Sequence, residues 1–331
     1  MPVAICDQFP AVAADELIAA FVPPPRFRDA RFSNYIPNPT FPSQAAAVAA
    51  GQVFAARPPK QKRRLFKAPP PELRPGLYFD GGFGVGKTHL LASVWHAGSA
   101  PKVFGTFVEY TNLVGALGFA QAAEQLSDQS LVCIDEFELD DPGDTVLMST
   151  LLGRLTTAGV RVAATSNTLP DRLGEGRFAA DDFLREIQAL SAQFDVVRVD
   201  GDDYRHRGDP EAVAPRDDRT VGRGVAESAS LDDFADVMNH LTHVHPSRYG
   251  PMVEGNSQVH LRGLTTLTDQ SAALRLVVLI DRLYDRDIPV MASGVPADKV
   301  FDQDMLTGGY RKKYFRAMSR LIALTREASV D

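Results

Sequence analysis

Gly81-Gly82-Phe83-Gly84-Val85-Gly86-Lys87-Thr88 carries the densest chemistry in this chain. It fits G-x-x-x-x-G-K-[ST], a loop whose main-chain N–H groups turn inward around a polyphosphate. Glycines permit that turn because they lack a Cβ. A helix N-terminus leaving the loop adds partial positive charge. Lys87 is expected at the β- and γ-phosphates, and the Thr88 hydroxyl at a Mg²⁺ ion. Gly81 through Thr88, together with His89, are the candidate nucleotide contacts.

A second group lies at Leu131-Val132-Cys133-Ile134-Asp135-Glu136, an apolar run that ends in two acids. The apolar residues bury a strand and carry both acids to its carboxyl end, where ligands of open α/β sheets bind. Asp135 fits the Mg²⁺-holding carboxylate of such sites. Glu136 fits the base that polarises the attacking water. A third strand, Val160 to Thr165, leads to Asn167, a candidate contact to the γ-phosphate or the water. Guanine-specific N-K-x-D is missing, and no Asn-Lys pair occurs anywhere. The Asp-Glu pair followed by a strand-end Asn points to an ATPase of the AAA+ class.

These residues need a scaffold that aligns three strand ends. Gly76 to Asp80 reads as a buried strand entering the loop, and His89 to Ala97 as the helix leaving it. Strand over Val103 to Tyr110, helix over Asn112 to Glu124 and helix over Asp144 to Thr157 come next. A helix over Asp181 to Ala192 then leads to strand Asp195 to Val199. Such alternation predicts right-handed crossovers and a parallel sheet covered by helices. Before it, Ser43 is placed to cap an alanine-rich helix reaching Ala56. After it, Ser230 and Asp233 suggest a helix start with Leu231, Phe234, Val237, Met238 and Leu241 on one face. Strand Val259 to Leu261, helix Ala272 to Asp285, strand Ile288 to Ser293 and a basic helix from Gly309 to Ala328 complete the chain. Leu151 to Thr165 aligns without gaps to Leu279 to Ser293, a weak internal echo. The expected organisation is an N-terminal extension over 1–70, a P-loop AAA+ core over 71–205, a small helical lid over 206–256 and a C-terminal α/β extension over 257–331.

With 331 residues, 44% apolar and 23% charged, the chain has the composition of an ordinary globular protein with more than one domain. The formal charge of −7 counts against general nucleic-acid binding. Cys6 and Cys133 lie far apart, and Cys133 sits in an apolar run, which favours a buried thiol over a disulfide. No apolar stretch is long enough for a membrane span, and the N-terminus lacks a signal-peptide pattern. A reducing cytoplasm is the expected location. The basic run from Arg57 to Lys67 reads as a solvated loop or as a contact for an acidic partner. His240, His243 and His245 lack the spacing and partners of a metal site.

The chain resembles the ZapE family of AAA+ ATPases, bacterial cell-division proteins with mitochondrial relatives. The resemblance rests on G-G-F-G-V-G-K-T-H-L at 81–90, I-D-E-F at 134–137, L-L-G-R-L at 151–155 and A-T-S-N at 164–167. It extends to D-F-L-R-E-I at 182–187, V-V-R-V-D-G-D-D-Y-R at 196–205 and L-V-V-L-I-D-R-L-Y-D at 276–285. M-A-S-G-V-P at 291–296, S-R-L at 319–321 and the Tyr35 to Gln44 stretch also belong to it. The resemblance implies ATP hydrolysis coupled to rearranging a protein partner, in bacteria the division ring built from FtsZ. Nucleotide-dependent homo-oligomers and recruitment to the division site or inner membrane through partners go with it. Mitochondrial relatives imply a quality-control alternative, and G-K-T-H-L is shared with helicase loaders. The family's paired arginines before Phe183-Leu184 are replaced here by Ala179-Ala180-Asp181-Asp182. Arg177, then Arg185 and Arg320, are the candidates for reaching a neighbouring subunit's nucleotide.

Overall fold

The computed structural model describes residues 4–10, 18–58, 74–139, 142–173, 183–202 and 214–328. It divides into two compact units. One comprises 13–23 and 27–207, the other 1–12, 24–26 and 208–331.

The first unit is a parallel sheet of five strands, β1 (Gly76–Gly81), β2 (Lys102–Thr106), β3 (Leu131–Asp135), β4 (Arg161–Ser166) and β5 (Phe194–Val199), in the order β2-β3-β4-β1-β5. The order places β3, β4 and β1 side by side. Strand periodicity of two divides the core between the faces. Tyr78, Val132, Ile134, Val162, Ala164 and Phe194 belong to one apolar cluster. Leu77, Phe79, Leu131, Cys133, Ala163 and Val199 belong to another. The second cluster takes in α1 (Pro42–Ala55) and α2 (Lys87–Ala97) through Phe54, Leu90 and Leu91. The first takes in α3 (Phe107–Leu117), α4 (Phe119–Ser127), α5 (Pro142–Ala158) and α6 (Leu184–Ser191).

Three local expectations differ from the structure. The strand expected to reach Tyr110 stops at Thr106, because Thr106 and Glu109 form a reciprocal capping box that starts α3. The single helix expected over 112–124 is split by Gly118, whose φ of 78° is left-handed. Ser43 does not cap α1, which starts at Pro42 after Phe41. Its hydroxyl instead accepts a hydrogen bond from Asp200 N at 2.9 Å.

The second unit is built on a parallel sheet of three strands, β6 (Ser230–Asp233), β7 (Val259–Leu264) and β8 (Val290–Gly294), in that order. Helices α7 (Phe234–His240), α8 (Gln270–Asp285) and α9 (Arg311–Glu327) contribute to its core. Ser230 to Asp233, expected to open a helix, is a strand paired in register with Val259 to Arg262. Buried Asp232 accepts from the backbone N–H groups of Ile5 at 3.0 Å and Cys6 at 3.1 Å, and the helix begins only at Phe234. Pairing and burial override the local capping pattern. Residues on both sides of the expected 256/257 boundary therefore share one sheet. Among the described residues no helix is long and apolar enough to cross a membrane.

Candidate functional site

The loop between β1 and α2 follows from two glycine positions. A Cβ on Gly81 would lie 2.2 Å from the Val199 carbonyl oxygen. Gly86 precedes α2 at φ 87°, and a Cβ there would lie 2.6 Å from the Tyr35 ring. Only glycine fits the second conformation without strain. Tyr35 also donates its hydroxyl to Val85 O at 2.8 Å, and burial pushes its phenol up to about 12. His89 turns to the same side: its Nε2 is 3.0 Å from Arg31 O, and its ring centroid is 5.6 Å from that of Tyr35. Neighbouring support comes from Gln44, whose amide donates to Asp200 O at 2.8 Å.

Because β1, β4 and β3 are neighbours, their carboxyl ends bring the chemistry together. Lys87 Nζ donates to Gly81 O at 2.9 Å, to Gly82 O, and to Asn167 Oδ1 at 2.9 Å. Thr88 Oγ1 donates to Asp135, with Oδ2 at 3.1 Å and Oδ1 at 3.3 Å. Asp135 also accepts from Thr165 Oγ1, and that hydroxyl accepts in turn from Glu136 N at 3.0 Å. Glu136 has a φ of 56°, a left-handed conformation that non-glycine residues rarely adopt. Thr165 thus ties the two acids to β4. The Asn167 amide nitrogen donates to Glu138 Oε1 at 3.4 Å.

The oxygen set of Thr88 and Asp135 suits a hard divalent cation. The ammonium of Lys87, the loop N–H groups and the start of α2 suit a polyphosphate. Such a site can bind a magnesium–nucleoside triphosphate and hold a water beside its terminal phosphate.

Hydrogen bonds pair Lys87 with Asn167 and Thr88 with Asp135, and the Glu136 backbone is linked to Asp135 through the Thr165 hydroxyl. Gly82, Phe83, Gly84 and Val85 form the loop itself. Among the arginines, Arg177 lies outside the described residues, and so do Tyr204 and Arg205. Arg185 is exposed in the first turn of α6. Arg320 belongs to the other unit, where it is buried against Asp281 and lies 5.0 Å from the Tyr284 ring centroid. Lys60 to Lys67 of the basic run lie outside the described residues, whereas Arg57 pairs with Asp195 at 3.7 Å. His240 Nε2 is 2.9 Å from Gln8 O and His243 Nδ1 is 3.0 Å from Asn239 O, backbone contacts in each case.

The motifs did not single out Tyr35 as a loop contact, nor Thr165 and Glu138 as partners of the site. Thr165 adjoins the strand end that leads to Asn167, so its position was a signal. Glu138 carried none, since the carboxylate meets Asn167 only when β3 and β4 pair.

A family model described as AFG1-like ATPase matches residues 11–222 and 217–330. The cell division protein ZapE of Escherichia coli K12 is 26% identical over 293 residues, covering 74% of this chain and 76% of that protein. Lactation elevated protein 1 homolog B of Danio rerio is 27% identical over 248 residues, covering 64% of this chain and 49% of its own. A crystal structure of DnaI aligns at a TM-score of 0.43 with 16% identity, covering 54% of this chain and 93% of that one.

Proposed function

The chain belongs to the AFG1-like ATPase family, and from that premise we propose that Lys87, Thr88, Asp135, Glu136 and Asn167 carry magnesium-dependent ATP hydrolysis within a core over residues 71–205. One observation carries this assignment: at three adjacent strand ends Lys87 is hydrogen-bonded to Asn167 and Thr88 to Asp135, with Glu136 next in the chain.

Lys87 now donates to loop carbonyls; a phosphate oxygen, carrying formal charge, is the stronger acceptor. Gly81 through Thr88 bind the phosphate tail, with His89 at the rim. Thr88 and Asp135 would hold Mg²⁺, which would supply positive charge against the phosphate oxygens. Glu136 accepts the proton of the attacking water. Its main chain is held by Thr165, which fixes where its side chain begins. Asn167 contacts the γ-phosphate and reports its presence to β4. Calorimetry and phosphate release on Glu136→Gln test the assignment. Nucleotide binding should persist, and turnover should fall by about 10²–10⁴-fold. Turnover at the wild-type rate would remove Glu136 from the role.

Turnover drives the remodelling of a protein complex, with the FtsZ division ring as the proposed partner. The likeness to a cell division protein in Escherichia coli supports this choice. The working form is a nucleotide-dependent homo-oligomer in the cytoplasm, with Arg177 or Arg185 reaching the neighbour's nucleotide, and recruitment to the division site follows from the partner. ATPase stimulation by purified FtsZ, and mass measurement with and without an ATP analogue, test these points. Stimulation by DNA alone, with none by FtsZ, would replace the partner by a nucleic acid.

A further inference from the structure

We infer that Glu138 is a positioning residue for ATP hydrolysis, acting through Asn167 by fixing which end of its side-chain amide faces Lys87. The inference rests on the ATPase site proposed above. Glu138 follows β3 and is only 2% exposed. Its Oε1 accepts from Asn167 Nδ2 at 3.4 Å, while Oδ1 of the same amide accepts from Lys87 Nζ at 2.9 Å.

The chemistry of the three groups allows one arrangement. An ionised carboxylate has acceptors only, and an ammonium has donors only. The Asn167 amide has one end of each kind. In the observed orientation both neighbours are satisfied, and both bonds are charge-assisted. Flipping the amide would set its oxygen against the Glu138 carboxylate and its NH₂ against the Lys87 ammonium. Burial of Glu138 makes the repulsion on its side costly, because a low local dielectric strengthens it.

The orientation matters once a nucleotide arrives. Phosphate oxygens accept and do not donate, so Asn167 must offer them its nitrogen end. That nitrogen carries two hydrogens. Glu138 engages one, and the other remains for the phosphate or the attacking water. Lys87 turns to the phosphates at this stage and its hold on Oδ1 weakens. Glu138 then becomes the group that keeps the amide from flipping, and Asn167 senses the γ-phosphate with the correct polarity.

The test is a double-mutant cycle on the full chain, with kcat and KM from phosphate release, nucleotide affinity from calorimetry and folding from thermal melts. Glu138→Gln keeps the shape, but its amide can donate as well as accept and no longer selects one orientation of Asn167. Its kcat should fall about tenfold while nucleotide affinity stays within about twofold. In an Asn167→Ala background the same substitution should change kcat by less than about twofold. Wild-type kcat in Glu138→Gln, or a full additive loss in the Asn167→Ala background, would overturn the role. Glu138→Ala in the same cycle reads the same coupling if the Gln variant does not fold. If the wild-type chain takes up nucleotide and Glu136→Gln stops turnover, an additive cycle rejects Glu138 alone. If the wild-type chain takes up no nucleotide, the ATPase site falls and this inference falls with it.

Discussion

In each unit a long helix runs into a buried parallel strand that ends near a small hydroxyl residue: α5 into β4 with Thr165, α8 into β8 with Ser293. The weak echo between 151–165 and 279–293 is this shared helix–strand geometry. Beyond the hydroxyl the two units diverge. Thr165 donates to Asp135 and accepts from Glu136 N, and the chain continues through Ser166 to Asn167, which meets Lys87. Ser293 accepts from Gly263 N at 2.9 Å and donates to Asp218. The chain then closes through Gly294, at φ 97°, where a Cβ would lie 2.3 Å from Leu264 O. Val295 N donates to that same carbonyl at 2.9 Å. One strand end serves a neighbouring acid pair and the glycine-rich loop; the other is closed against the backbone of β7. A helix–strand unit thus gains chemistry from the strand ends beside it.

Charge is used differently as well. The second unit buries Asp281 of α8 between Arg316 and Arg320 of α9, with Arg316 at 2.7 Å. Burial alone would lift the Asp281 carboxyl, but the two guanidinium groups outweigh it and hold it below the usual carboxylate range.

The sharpest break between the two regions is Lys87→Ala, which should abolish magnesium-nucleotide uptake in calorimetry and leave the fold intact by circular dichroism. Asp281→Ala should do the reverse. Two buried guanidinium groups lose their shared carboxylate, so denaturant unfolding should show a loss of about 3–5 kcal/mol while nucleotide affinity of the folded protein is kept. A loss of less than about 1 kcal/mol would mean that the trio is not a structural element. Acid should probe the same carboxylate. Its pKa is lower in the folded state than in the unfolded chain, so its contribution is present above the ordinary value of 3.8 and is lost as pH falls below it. Denaturation midpoints measured from neutral pH to about pH 3 should fall more steeply at the acid end in the wild type than in Asp281→Asn. The finest test pairs the two hydroxyls. Thr165→Val should lower kcat about tenfold by releasing the acids from β4, whereas Ser293→Ala should cost about 1 kcal/mol of stability and leave kcat unchanged. Equal effects on turnover would erase the distinction between the strand ends.

Much of this is legible in the residues alone. The phosphate loop declares itself through glycine and Lys-Thr spacing, since the physics is confined to one turn of chain. The apolar run ending at Asp135-Glu136 and the strand ending near Asn167 follow from strand periodicity. Ser230 to Asp233 carries hydroxyl and carboxylate spacing that is good local helix chemistry, whereas the β7 partner that makes it a strand lies elsewhere in the chain. Tyr35 and Val85 are 50 residues apart, and Glu138 and Asn167 are 29 apart. Neither pairing has a signature in residue spacing.

Local pattern is enough to read a glycine-rich Lys-Thr loop, two strand-end acids and a parallel α/β scaffold, because steric limits on glycine and the period of a strand act over a few residues. Which groups meet depends on the order of the strands. The order β2-β3-β4-β1-β5 makes β4 the neighbour of both the acids and the loop. Hydrogen bonds act over about 3 Å, so which carboxylate holds which amide depends on how the strands are arranged side by side.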